Sequence, residues 1–174
     1  TLAHQVSLPF GRGQRYLSNP SGVVNQIVGG WEWNGTTTLY SGAPFSPGVS
    51  NNTFLNSDMS SRPDLVGNPT SGLNQTRDLW FLASAYAYPA LYTFGSAGRN
   101  TIRGPGIATV NWSLFKNFTI REDYRLQFRW EVFNAFNRTN LANPENNFDS
   151  GRAGKIFGLF EPMRNMQFAL RFQF

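Results

Sequence analysis

Apolar and polar residues alternate with a period of two along five stretches of the chain, most regularly in the last. There the even positions Met166, Phe168, Leu170, Phe172 and Phe174 oppose the odd positions Gln167, Ala169, Arg171 and Gln173. Such alternation places the two sets on opposite faces of a β-strand, one apolar and one polar. Fully extended, residues 164–174 span roughly 36 Å, or about 25 Å when tilted near 45°, the height of the lipid-facing band of an outer-membrane barrel.

The stretch 124–136 repeats the pattern, with Tyr124, Leu126, Phe128, Trp130 and Val132 against Arg125, Gln127, Arg129 and Glu131. A one-residue slip would carry two Arg and a Glu into lipid, at roughly 2–4 kcal/mol for an Arg at mid-depth, so the register is strongly specified. In 106–118 the apolar row is Ala108, Val110, Trp112, Leu114 and Phe118, against Thr109, Asn111, Ser113 and Asn117. Lys116 falls on the apolar parity, near a strand end where a lysine costs about 0–1 kcal/mol and its stem can snorkel. The stretch 31–43 sets Trp31, Trp33, Thr37 and Leu39 against Glu32, Asn34, Thr36 and Thr38. In 1–10 Leu2, Val6, Leu8 and Phe10 share a face, with His4 on that parity at an expected rim position. Trp31, Trp33 and Tyr124 open strands on the apolar face, where amphipathic rings anchor a barrel at the membrane interface; the Trp pair would equally fill a soluble sandwich core.

Gly11-Arg12-Gly13 ends the first strand, and the spacing of Val23, Val24, Ile27 and Val28 predicts a short helical turn with Ser21 as N-cap and Gly29 as stop. Thr119 to Asp123 reads as a tight charged turn. Alternation is lost over 44–105 and 137–163, which read as long loops, with a short helix starting near Asp78. A structureless loop of about 60 residues argues against a compact soluble domain. Barrels, by contrast, pair short periplasmic turns with long extracellular loops. On that rule the connections after the first and third strands, and the C-terminus, face the periplasm. The expected fold is an all-β antiparallel transmembrane β-barrel, represented by five strands with long extracellular loops.

Composition narrows the alternatives. Hydrophobic residues make up 40% of the chain and no run of about 18 apolar residues occurs, which excludes a membrane-spanning helix but not a barrel. The net charge of +5 comes mainly from Arg residues scattered over alternate strand positions, an arrangement that argues against nucleic acid as a partner. With one His and no Cys, little remains for a zinc site or a Cys–His nucleophile, and the ten carboxylates are spread across turns and loops, with only Glu32 and Glu131 clearly on strands. Gly11-Arg12-Gly13 lacks the further glycine and following helix of a nucleotide motif. The expectation is a protein that is not an enzyme and uses no cofactor. Because Thr1-Leu2-Ala3 offers neither initiator Met nor signal peptide, the chain is expected to be the C-terminal piece of a longer one.

An ordered set of motifs resembles the barrel end of TonB-dependent outer-membrane receptors, in particular the Oar-like subset whose members often carry a carboxypeptidase-regulatory-like domain. The set comprises Leu8-Pro9-Phe10-Gly11-Arg12-Gly13, Gly30-Trp31, Ser41-Gly42-Ala43-Pro44-Phe45, Arg62-Pro63-Asp64, Gly98-Arg99-Asn100, Arg103-Gly104-Pro105-Gly106, Phe128 to Asn137 and the terminal Phe174. The resemblance implies a plugged barrel of about 22 strands in a Gram-negative outer membrane, importing a bulky ligand with energy from the inner-membrane TonB complex. Its partners would be outer-membrane lipid, the rest of the barrel and plug, the TonB complex, and the barrel-assembly machinery. For that machinery, Phe168, Leu170, Phe172 and Phe174 form the implied signal. Arg125, Gln127, Arg129, Glu131, Arg171 and Gln173 would face the lumen, toward plug or ligand or simply toward one another and water. Trp80, Phe81, Tyr86 and Tyr88, with Tyr92 and Phe94, offer a candidate ligand-capture surface, or else pack within their own loop. A passive porin or adhesin-like barrel and a soluble β-sandwich binding module remain as alternatives.

Overall fold

The computed structural model describes residues 1–49, 62–121 and 124–174. In chain order its elements are β1 (Leu2–Ser7), α1 (Gly22–Val28), β2 (Trp31–Tyr40), β3 (Pro44–Phe45), β4 (Asp64–Leu65), a 3-10 turn (Ala83–Ala85), β5 (Tyr86–Ala87), β6 (Ile102–Arg103), β7 (Ile107–Arg121), β8 (Tyr124–Phe133) and β9 (Asn165–Gln173). The five long strands make one sheet in the order β1-β2-β7-β8-β9, a meander in which each neighbours the next long strand in sequence. Pairing is antiparallel in β1–β2, β7–β8 and β8–β9. No helix among the described residues is long and apolar enough to cross a membrane.

Alternation in the sequence becomes face-to-face pairing in the sheet. Across β8–β9, Leu126 opposes Phe172, Phe128 opposes Leu170, Trp130 opposes Phe168 and Val132 opposes Met166. On the other face Arg125 opposes Gln173, Gln127 opposes Arg171, Arg129 opposes Ala169 and Glu131 opposes Gln167. The apolar face is exposed: Phe168 is 67% and Leu170 70% exposed, values that fit a strand meeting lipid rather than a protein core.

Strand ends depart from the alternation for local backbone reasons. β8 stops at Phe133 rather than at residue 136 because Asn134 adopts φ 49°, and Asn137, at φ 51°, closes a turn by donating its N–H to the Asn134 carbonyl. Asn is among the few non-glycine residues that enter this left-handed region readily. β2 ends at Tyr40 instead of 43, just before Gly42 at φ 92°. β7 continues to Arg121, with a register shift between Thr119 and Arg121, so residues 119–121 of the expected turn over 119–123 are strand; Glu122 and Asp123 lie outside the described residues. β1 is shorter than 1–10, ending at Ser7 ahead of Pro9, and β9 covers Asn165–Gln173 within the expected 164–174.

The chain divides into two compact units. The sheet unit contains Thr1–Leu39, Ala108–Arg138 and Pro162–Phe174. The second contains Tyr40–Ile107 and Thr139–Glu161, which correspond to the two stretches expected as separate irregular loops. They instead share one core of Phe45, Phe81, Ala85, Tyr86, Ala97 and Ile102, with Trp80, Leu82, Phe148 and Ala153 packed on it. Main-chain bonds lace the two stretches together: Trp80 N–H donates to Gly154 O at 2.8 Å, Ile156 N–H to Arg77 O at 2.8 Å, and Phe148 N–H to Gly48 O at 3.0 Å. Close backbone approach requires glycine at Gly95, where a β-carbon would strike the Arg62 and Pro63 carbonyl oxygens. The expected helix near Asp78 is absent; the local helical element is the 3-10 turn Ala83–Ala85. Residues 50–61, within the expected 44–105 loop, lie outside the described residues.

Candidate functional site

Every polar residue expected on the strand interiors projects from the same face of the sheet. Arg129 Nε donates to Gln127 Oε1 at 2.6 Å, Gln127 Nε2 to Asn117 Oδ1 at 2.7 Å, and Asn117 Nδ2 to Glu32 Oε1 at 3.1 Å. This chain of bonds crosses β8, β7 and β2 and ends on a carboxylate. Farther along β8 Gln167 donates its side-chain N–H to Glu131. The Arg129 guanidinium also lies 4.9 Å from the Phe115 ring centroid, a cation–π contact.

Two cavities divide this polar face. One, of about 350 Å³, is lined by Arg125, Arg129 and Arg171 with Gln127, Gln173, Asn117 and Thr119. Among the described residues no carboxylate lines it, and arginine keeps its charge at any physiological pH. The other, of about 400 Å³, is lined by Gln5, Asn34, Thr36, Asn111, Ser113 and Glu131, together with His4, Trp112 and Phe133. The wall is therefore basic near the β7–β8 hairpin and neutral to acidic farther along. Five of the six predicted interior residues meet in the first cavity, and Glu131 belongs to the second.

On the apolar face aromatic rings are stacked in ladders. Tyr124 and Phe172 stack at 6.0 Å and 16°, and Trp130 and Phe168 at 6.2 Å and 9°. Phe174, at 91% exposed, contacts Phe172 at 6.1 Å. Trp33, Trp112 and Trp130 border an apolar groove with Leu114 and Val132. His4 packs edge-on against Trp33 at 4.8 Å and over Gly35, with Nε2 buried. Trp31 is tied down, its Nε1 donating to Ile27 O at 2.9 Å.

Lys116 also differs from expectation. Its side chain does not snorkel but is only 2% exposed, with Nζ donating to the Gly29 carbonyl at the end of α1 and lying 5.5 Å from the Trp31 and 4.9 Å from the Phe118 ring centroid. The lysine thus pins the β1–β2 connection to β7. Lys116→Met keeps the apolar stem but leaves that carbonyl unmatched, so a loss of about 1–3 kcal/mol is expected. Urea unfolding of the membrane-reconstituted protein checks it: an unshifted midpoint would mean the bond contributes nothing.

The capture residues separate. Phe81 is 0% and Tyr86 5% exposed, so both are core residues of the second unit and neither can meet a ligand. Burial also raises the Tyr86 phenol above its usual range. Trp80 is partly buried, donating its Nε1 to Arg103 O at 2.8 Å. Tyr88 remains at the surface, its ring against Phe148 at 5.1 Å and its hydroxyl 3.2 Å from Asp149. Desolvation, then the bond to the Asp149 carboxylate and its negative charge, raises the Tyr88 phenol, which stays a neutral donor at physiological pH. Tyr92 and Phe94 are the more exposed rings, at 84% and 73%.

Sequence reading passed over Asn134. Its N–H donates to Asn111 Oδ1, its Nδ2 donates to the carbonyls of Arg138 and Pro162, and its Oδ1 accepts from Arg138 N–H. The signal was present in the Asn-Ala-Phe-Asn stretch, whose asparagines suit a left-handed turn better than a strand end.

Searches among curated proteins and among solved structures give no match. One family model, described as an outer membrane beta barrel domain, matches residues 1–167. With nearly the whole chain matched, and with strands that turn one face to lipid and the other to a polar interior, this chain belongs to the outer membrane beta barrel domain family.

Proposed function

We propose that the chain is a barrel segment of a TonB-dependent receptor in a Gram-negative outer membrane, importing a bulky ligand with energy from the inner membrane. The observation that carries this reading is the arginine-lined cavity on the interior face. Three guanidinium groups, with no carboxylate among the described residues of the lining, suit a wall that meets polar or anionic groups of a plug or a passing ligand. The ordered motif set that resembles Oar-like receptors supports it independently. In the same reading Phe168, Leu170, Phe172 and Phe174 are presented to the barrel-assembly machinery on an exposed apolar face.

Conductance of the full-length protein in a planar bilayer in potassium chloride separates this from a passive porin. A plugged receptor is expected to show no stable open-channel steps until mild denaturant loosens the plug. Ohmic steps in the untreated protein would defeat the receptor reading in favour of a porin. Recovery of the native protein in the detergent-free soluble fraction would defeat both.

A further inference from the structure

The connection from β1 to β2, residues 8–30, is built with two unlike sides. Leu8, Phe10, Leu17, Ile27 and Val28 join Trp31 and Leu114 of the sheet's lipid face around one open apolar groove of about 600 Å³. Arg12, Gln14, Asn25 and Gln26 instead join Asn117 and Thr119 of the polar face around a polar cavity. The segment thus continues the amphipathic division of the sheet beyond the strands.

Its orientation is fixed by bonds from its polar side. Arg12 N–H donates to Asn25 Oδ1 at 2.7 Å, Gln26 Nε2 to Thr119 O at 2.9 Å, and Lys116 Nζ to Gly29 O. With α1 held in this way, its apolar residues face outward: Val23 is 75%, Ile27 65% and Val24 42% exposed, and nearby Leu17 is 56%. A helix of seven residues has little stability in water, and a cluster of this kind on a water-facing connection would be an aggregation liability. Continuity with the lipid-facing side of the sheet identifies what covers it. Arg15, 5.5 Å from the Tyr16 ring centroid, adds a cation beside the cluster, as at the headgroup level of a bilayer.

We propose that residues 8–30 form an interfacial foot, with Leu17, Val23, Val24 and Ile27 seated in the phospholipid headgroup–acyl boundary at the end of the barrel bearing the β7–β8 hairpin. The foot enlarges the membrane contact beyond the strands and anchors that end of the barrel at a set depth. This rests on membership of the outer-membrane barrel family and is independent of the receptor reading.

This chain contains no cysteine, so single-site labelling requires only that any cysteine elsewhere in the full-length protein be replaced by serine. Full-length Val23→Cys, Ile27→Cys and Gln14→Cys variants would carry an environment-sensitive nitrobenzoxadiazole probe in vesicles of phosphatidylcholine and phosphatidylglycerol. Measurements are made in preparations where a probe at Leu2→Cys, on the apolar face of β1, reports lipid. Emission at positions 23 and 27 is expected to shift to shorter wavelength and to be quenched by lipids doxyl-labelled near the headgroup, while position 14 is not. Water-like, unquenched emission at 23 and 27 would overturn the proposal.

Discussion

Phe81→Ala is expected to unfold the second unit while the barrel still assembles. Phe81 is fully buried at the centre of that core, 6.1 Å from Phe45 and 6.0 Å from Tyr86. Truncating such a ring costs about 3–5 kcal/mol, a large part of the stability of a small domain. Limited trypsin digestion of the protein in membranes provides the readout. Arg77, whose Nε donates to Ile156 O at 3.2 Å, should become a cleavage site in the variant, and Arg103 with it. An unchanged digestion pattern would show that the core does not depend on Phe81. Tyr92→Ala should leave the pattern unaltered, since that ring is mostly in solvent.

The second large effect distinguishes the two faces of β9. Leu170→Arg puts a charge on the lipid face opposite Phe128, at about 2–4 kcal/mol if it lies near the bilayer midplane. Gln167→Arg puts the same charge opposite Glu131 on the polar face, where it gains an anionic partner. Heat-modifiable migration on gels, which reports folded barrel, should fall sharply for Leu170→Arg and stay near the parent level for Gln167→Arg. Equal yields of folded protein from the two variants would contradict the assigned faces.

The sheet was legible in the sequence because a two-residue period carries its own evidence, and β8 and β9 pair in the register their arginines demand. Connections were legible only where a local rule governs them. Val23 to Val28 spelled out α1, yet Ser21 makes no side-chain cap bond, because tertiary bonds from Asn25, Gln26 and Gly29 hold the helix in its place. The second unit left no periodic trace: its core residues come from turns and two-residue strands, and its bonds join stretches far apart in sequence. Phe81 and Tyr86 thus resembled loop-surface aromatics as much as core ones. The burial of Lys116 leaves no local trace for a related reason, since its partner is a backbone carbonyl 87 positions away.

The shared core of 40–107 and 139–161 also bears on how such a barrel can be altered. Surface loops are commonly exchanged one at a time between scaffolds. Here either stretch, moved alone, would leave Phe81 or Phe148 without its cross-stretch packing and leave Trp80 N–H and the Gly154 carbonyl unmatched. The transplantable module is the pair. Natural change in one stretch is likewise constrained by the other, so the two would diversify together.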